Sequence, residues 1–233
     1  MTYLKRPAVI RNSILFCIIS LFFLSVTESL EGGFSALQLN GFMSFLQKHK
    51  YLLTFSTLSI LSISMLKKAS PYIFLVYCAS ISISSLRLFF IDFDKLILIL
   101  NFFYIVFSYN FFLFSKMELA EPFYNPKYSR NMLPNYLGKA FPVEIKRNGK
   151  SQKAFLTNWG ENGFFCRLDD SSEKLKGRVE IESKLDGHSF FAEGEVMTRG
   201  FDGIGVRISA NPVPNMGWVN YYGIISEQGM KSL

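Results

Sequence analysis

Side chains that could do chemistry are few and scattered along this chain. The two histidines, His49 and His188, lie far apart, and Cys17, Cys78 and Cys166 form no pair at metal or redox spacing. There is no H-E-x-x-H, no G-x-S-x-G, no Cys-His arrangement and no phosphate-cradling glycine loop ahead of a helix. The carboxylate neighbours Asp169-Asp170 and Glu180/Glu182 are ordinary for exposed loops and strand faces. Catalysis is therefore not expected, and no metal ion or resident cofactor is implied. What is left is recognition chemistry in two places. One is Arg87, the single charge well inside an apolar run. The other is a glycine-rich turn, Asn158-Trp159-Gly160-Glu161-Asn162-Gly163, with Arg207 further along.

The elements that must position these residues fall into two halves. Four apolar runs, at 14–26, 51–66, 71–91 and 96–115, fill the first 115 residues, and none of comparable length follows Ser115. A helix needs about 20 largely apolar residues to cross the hydrocarbon core. The third and fourth runs meet that length. The first two reach it only by borrowing flanks such as Val9 and Ile10, or residues 47–50. The expectation is about four transmembrane helices in a membrane domain at 1–115, a connector at 116–138, a β-domain at 139–212, and a tail at 213–233 holding a short helix.

Charge supports the division. The whole chain is +7, but residues 1–115 hold nine Lys/Arg against four Asp/Glu, whereas residues 116–233 hold sixteen against fourteen. Basicity concentrated around apolar spans reads as membrane orientation, and a nucleic-acid partner is not expected. Lys5, Arg6 and Arg11 precede the first span, Lys67 and Lys68 separate the second from the third, and Lys116, Lys127 and Arg130 follow the fourth. By the positive-inside rule these regions share the cytoplasmic side, giving a multi-pass membrane protein, N-in and C-in. The first run also fits a signal peptide with weak cleavage positions at Ser25 and Thr27. Cleavage would leave three spans and the same cytoplasmic placement of residues 116–233.

Inside the spans the polar residues are mostly hydroxyls, among them Ser56, Ser59, Ser80, Ser82, Ser84 and Ser85, and Ser80 with Ser84 makes a small-xxx-small pair suited to close helix packing. Arg87 is a functional candidate by position. It has a plainer reading as a residue that snorkels to the interface or pairs with Asp92 or Asp94. A transport path would need Arg87 and the hydroxyl-rich faces to converge on one cavity. The connector carries Pro122, Pro126 and Pro134, which preclude a long unbroken helix. Its Phe123, Tyr124, Tyr128 and Tyr136 suit either an interfacial aromatic belt or packing on the β-domain.

The second half reads as antiparallel β. Asn148-Gly149, Asn162-Gly163, Asp186-Gly187 and Asp202-Gly203 are hairpin signals, because two-residue turns need positive φ. Between them lie runs suited to strands at 141–146, 153–157, 164–168, 178–183, 190–199 and 204–208. Six short strands with tight turns indicate a small closed or nearly closed barrel. Residues 171–176 could add a helical turn.

At this point the residues resemble a known family. Asn158-Trp159-Gly160-Glu161-Asn162-Gly163-Phe164-Phe165 looks like the D/N-x-S-x-x-G signature of PilZ domains, and Gly203-Ile204-Gly205-Val206-Arg207-Ile208 looks like their closing G-I-G-V-R-F strand. The resemblance covers about residues 137–209 and implies an all-β, PilZ-like six-stranded barrel after the α-helical transmembrane region. PilZ domains are receptors for cyclic di-GMP. An R-x-x-x-R loop ahead of their first strand clamps the ligand, since a guanidinium offers a bidentate pair to guanine and also meets phosphate.

Here the pattern departs. The connector has one arginine, Arg130, with Pro134 four residues on, so Lys127, Arg130 and Lys139 are the cations available. Gly160 stands where the signature has serine, removing a hydroxyl. On the resemblance, ligand contacts would fall to Arg130, Lys139, Asn158, Gly160, Gly163 and Arg207. A plainer reading makes Asn162-Gly163 a hairpin turn, has Trp159 cover a barrel end, and sends Phe164 and Phe165 to opposite faces of a strand. The expected function is a membrane-anchored, degenerate PilZ-like interaction module that docks on a membrane protein complex serving motility, pili or envelope polysaccharide. The alternative is a genuine cyclic di-GMP effector, and a third reading is a transporter subunit.

Overall fold

A computed structural model describes residues 2–5, 7–32, 38–65, 69–125, 141–169 and 175–227. The chain forms two compact units. One runs from Pro7 to Leu119, and the other joins the N-terminal residues to the chain from Ala120 onward.

The first unit is helical: α1 (Ala8–Gly32), α2 (Leu39–Lys48), α3 (Lys50–Ser64), α4 (Ser70–Asp92) and α5 (Lys95–Ala120). Pro71 opens α4, where its missing N–H costs nothing, and Phe93 in the left-handed region closes it. Three helices, α1, α4 and α5, are long and apolar enough to cross a membrane. The expected count of about four is met in part, by these three. The second run gains only Lys50 of the flank 47–50, because the chain bends at His49 (φ −103°, ψ 36°) and separates α2 from α3. The 15 residues of α3 extend about 22 Å at 1.5 Å per residue, short of a hydrocarbon core of about 30 Å.

Hydroxyls do pack this unit, though not the pair expected. Ser80 and Ser84 donate to the Val76 and Ser80 carbonyls of their own helix. The fully buried serines are others, among them Ser56 and Ser59 on α3, Ser85 on α4, and Ser13, whose hydroxyl meets that of Ser115 at 3.0 Å. Tyr77 and Tyr104 donate to the Cys17 carbonyl and the Ser20 hydroxyl, so their buried phenols are satisfied.

The second unit is a closed antiparallel barrel of β2 (Pro142–Arg147), β3 (Lys150–Gly160), β4 (Gly163–Leu168), β5 (Gly177–Leu185), β6 (His188–Arg199) and β7 (Gly203–Ala210). The sheet runs β6-β5-β2-β3-β4-β7, and the β6–β7 pairing closes it. All six expected strands are present. Alternation fills the interior: Val143 and Ile145, Val179 and Ile181, Phe190 and Ala192 are buried at a period of two.

Two of the four Asx-Gly pairs act as anticipated. Asn148-Gly149 and Asp186-Gly187 take positive φ at both residues (50° and 77°, 50° and 80°). Asn162-Gly163 does not. Gly160 pairs with Gly163, so Glu161 and Asn162 form that turn. Asp202-Gly203 closes a longer loop in which the Gly200 N–H donates to the Gly203 carbonyl at 2.7 Å. Of residues 171–176, where a helical turn was expected, 171–174 lie outside the described residues and 175–176 are not helical.

A further strand, β1 (Thr2–Tyr3), pairs with β6 through Thr2–Arg199 and Tyr3–Thr198. It uses the β6 edge that β5 leaves vacant beyond Val196. The expected C-terminal helix is α6 (Trp218–Glu227), whose Trp218, Tyr221 and Ile225 join the barrel core. The Tyr221 hydroxyl is buried with no hydrogen-bond partner among the described residues, and burial pushes its pKa up. An unmade buried hydrogen bond costs about 1–3 kcal/mol. Tyr221→Phe should therefore leave stability unchanged or raise it by about 1 kcal/mol, readable as an unchanged or higher Tm.

On the outer surface Lys146 Nζ donates to Glu182 at 2.6 Å. That bond holds the Glu182 carboxyl below its ordinary value of 4.5 and raises the Lys146 ammonium. A lowered carboxylate stabilises the fold above its ordinary pKa and stops doing so as pH falls through the lowered one. Lys146→Met is thus expected to flatten the acid limb of a stability-against-pH curve. The change should be small, as the pair is solvated.

Candidate functional site

The residues singled out on the barrel share one outward face. Asn158 and Phe165 are register partners, as are Gly160 and Gly163, Gly163 and Arg207, and Gly205 and Phe165. Alternate residues Trp159, Phe164 and Val206 point to the core. Phe164 and Phe165 thus take opposite faces as expected, yet both are fully buried. Something covers the outward face.

The cover is residues 121–125, which follow α5 and turn through a short 3₁₀ segment at Pro122–Tyr124. Phe123 is 1% exposed and packs with Tyr124, Met197 and Tyr3. The Tyr3 and Tyr124 rings lie 6.1 Å apart. Of the two placements open to the connector aromatics, Phe123 and Tyr124 thus take packing on the β-domain; Tyr128 and Tyr136 lie outside the described residues. Bulges between Leu156 and Asn158 and between Val196 and Thr198 bend the strands at this place.

Polar groups of the signature are consumed by the same segment. Asn158 is buried, and its amide donates to the Asn125 carbonyl at 2.5 Å. The Asn162 amide donates to Glu121 Oε1 at 2.8 Å, and the Thr198 hydroxyl donates to the Phe123 carbonyl. Glycines give the segment its room. A Cβ on Gly160 would stand 2.9 Å from Pro122 Cγ, and one on Gly163 would stand 2.9 Å from Phe123 Cδ1. A Cβ on Gly205 would overlap the Phe123 carbonyl and the Thr198 hydroxyl. The serine missing at 160 is therefore explained by packing, because its side chain would strike Pro122. The role expected for Gly163 is corrected in the same way: it admits close approach and is no central turn residue.

Arg207 is exposed on this face, cross-strand from Gly163 and Glu195. Lys5 pairs with Glu195 at 2.6 Å. Arg130 and Lys139 lie outside the described residues, as does Lys127. The structure thus brings together Asn158, Gly160, Gly163 and Arg207. The sequence did not point to Thr198, and it offered Gly205 only within the closing-strand resemblance and Pro122, Phe123 and Tyr124 without their place on this face. Their only signals were the second glycine of Gly203-Ile204-Gly205 and the aromatic pair behind Pro122. Cys166 is buried with its thiol against the Ile204 carbonyl at 3.7 Å, and burial raises its pKa, which suits a packing residue.

In the helical unit, Arg87 forms no ion pair with Asp92 or Asp94; the Asp94 carboxylate instead accepts the Leu96 N–H at 2.8 Å. Arg87 lines a cavity of about 410 Å³, where Ser84 is the one span serine or threonine among the described lining residues. The hydroxyl-rich faces do not converge on it, as a transport path would need.

No protein-family model matches the sequence, and no curated protein does. Among solved structures, the chain is similar to the PilZ domain of CeSA from a cellulose-synthesizing bacterium. Identity is 13% and the TM-score 0.31, over 39% of this chain and 92% of that one. A likeness at that score carries no functional argument, which rests on the residues above.

Proposed function

We propose that the chain is a membrane-anchored, PilZ-like interaction module, a degenerate relative of cyclic di-GMP receptors that docks on a membrane protein complex. One observation carries the reading: residues 121–125 occupy the face that bears the signature residues Asn158, Gly160 and Gly163. A ligand needing that face must first expel them. Each hydrogen bond lost costs about 1 kcal/mol, and re-exposing a phenylalanine costs about 1.5–3 kcal/mol. Since each 1.4 kcal/mol is a factor of ten, affinity falls by roughly a hundredfold or more. The partner classes that fit are those the resemblance implies: motility, pilus or envelope-polysaccharide machinery.

Attachment to the membrane is supported by α1, α4 and α5. Both ends of the helical unit lead into the same barrel, residues 2–4 through β6 and residues 121–125 through the signature face. The basic segments before α1 and after α5 favour one shared side of the bilayer, which calls for an even number of crossings. The fourth is assigned to α3, with thinning of the bilayer or snorkelling of Lys50 at its start. Loop charge makes that shared side cytoplasmic.

The test is calorimetry of the full chain in nanodiscs with cyclic di-GMP. No saturable heat is expected up to millimolar ligand. Micromolar binding that is lost on Arg130→Ala would establish the alternative, a genuine effector that releases its own cover.

A further inference from the structure

We infer that the helical unit holds a binding site for the phosphate head of an anionic amphiphile, where α1 and α4 end and α3 begins. The inference uses the membrane reading of the helices and is independent of what the barrel binds.

Three separate elements bring charge to this place. Glu28, four residues before the end of α1, is buried at 6% exposure. Its carboxylate accepts a hydrogen bond from Lys48 on one oxygen, and His49 Nε2 lies 3.0 Å from the other. Lys48 and His49 sit at the bend between α2 and α3. Arg87 of α4 lines the same cavity, about 410 Å³ in volume. Among the described residues no carboxylate pairs with Arg87, and Glu28 is already engaged.

The charge of this cavity does not close. With His49 neutral, its lining holds two cations, Lys48 and Arg87, against the single carboxylate of Glu28. Arg87 is exposed and the Lys48 side chain is 67% exposed, so both stay within reach of an anion arriving from outside, and charge-assisted hydrogen bonds favour one there. Arginine offers a planar fork suited to phosphate oxygens, and Lys48 and His49 add donors beside it. The remaining walls are mostly aliphatic, from Leu24, Leu52, Leu88 and Ile91, with Tyr51 and Ser84 beside them. A bare hydrated ion gains nothing from those walls, whereas an amphiphile buries its glycerol and upper acyl carbons against them. The volume falls within the range of about 300–1,000 Å³ typical of small-molecule sites.

A simple count of charge also distinguishes this place from the rest of the unit. Asp92 and Asp94, the acids nearest Arg87 in sequence, do not neutralise it. Lys95 is absent from the cavity lining.

The full chain, reconstituted in phosphatidylcholine nanodiscs, tests the inference by native mass spectrometry after addition of phosphatidylglycerol. The expected result is about fivefold or greater preference for phosphatidylglycerol, lost in Arg87→Gln and largely kept in Arg87→Lys. Lys48→Gln provides a second variant in case Arg87→Gln does not fold. Millimolar inorganic phosphate that displaces phosphatidylglycerol would assign the site to a soluble phosphate; failure to displace it would assign the site to lipid. Equal retention of both lipids by the native chain, or a preference unchanged in both charge-removing variants, overturns the inference. Failure to enter nanodiscs at all would overturn the membrane reading and the inference with it.

Discussion

Trp218→Ala is expected to destabilise the barrel by about 3–5 kcal/mol, the range for deleting a large aromatic from a core. Trp218 is 1% exposed. Its ring lies 4.7 Å from that of Phe164 and 5.6 Å from that of Tyr221, so α6 is fastened to β4 through it. The indole N–H also donates to the Gly160 carbonyl at 2.9 Å. The Trp218 backbone N–H is in turn held by the Asn211 carboxamide at 2.8 Å, so the helix start has little freedom to collapse into the cavity. Hydrogen exchange in the full chain reads the effect: protection of β3 and β4 amides should fall by two to three orders of magnitude, since each 1.4 kcal/mol is tenfold. Trp218→Phe keeps most of the ring contact and loses the hydrogen bond, so it should cost about 1–2 kcal/mol. Unchanged protection in Trp218→Ala would mean that α6 is not part of the barrel core.

Much of the barrel was legible because its strands obey short-range rules. Alternation of Val143, Ile145, Val179 and Ile181 needs only the pleat to be read, and Asn148-Gly149 and Asp186-Gly187 announce their turns through φ alone. Asn162-Gly163 misleads for a physical reason. Gly163 is demanded by the carbonyl of Val206 and the ring of Phe123, contacts from distant parts of the chain, and the turn moves one residue earlier to suit them. The apolar runs were equally plain, but the break at His49 was not. No proline or glycine separates α2 from α3 at the bend.

The candidate site was legible only in part. Asn158, Gly160, Gly163 and Arg207 follow from motif order, and they do share a face. What covers that face comes from residues 121–125 and from β1, which are 33 or more positions away in sequence, as the Asn158–Asn125 bond illustrates. Two residues of a strand, Thr2 and Tyr3, carry too little pattern to be read. The cluster of Glu28, Lys48, His49 and Arg87 likewise joins three helices, and only Arg87 drew notice because it is charged within an apolar run.

Gly205→Ala is expected to release the 121–125 segment from the barrel at a cost of about 2–4 kcal/mol, combining overpacking with lost burial of Phe123. The added methyl would overlap the Phe123 carbonyl and the Thr198 hydroxyl, which already hydrogen-bond each other. Either the segment or the strands must move. Gly205 sits in β7, paired on one side with Phe165 and on the other with Thr198, so displacing it breaks two ladders of a closed barrel. The segment is held by Asn158, Asn162, Thr198 and the Phe123 ring, and yields first. Exchange should therefore rise at the Tyr124 and Asn125 amides, which donate to the Glu121 and Pro122 carbonyls, while β6 and β7 stay protected. Phe123→Ala reaches the same released state by removing the anchor. The two changes act on one event, so the double variant should cost little more than the costlier single one, a coupling of about 1–3 kcal/mol. Additive costs would show that Gly205 and Phe123 act independently, and the seat of the 121–125 segment would then not explain the glycine at 205.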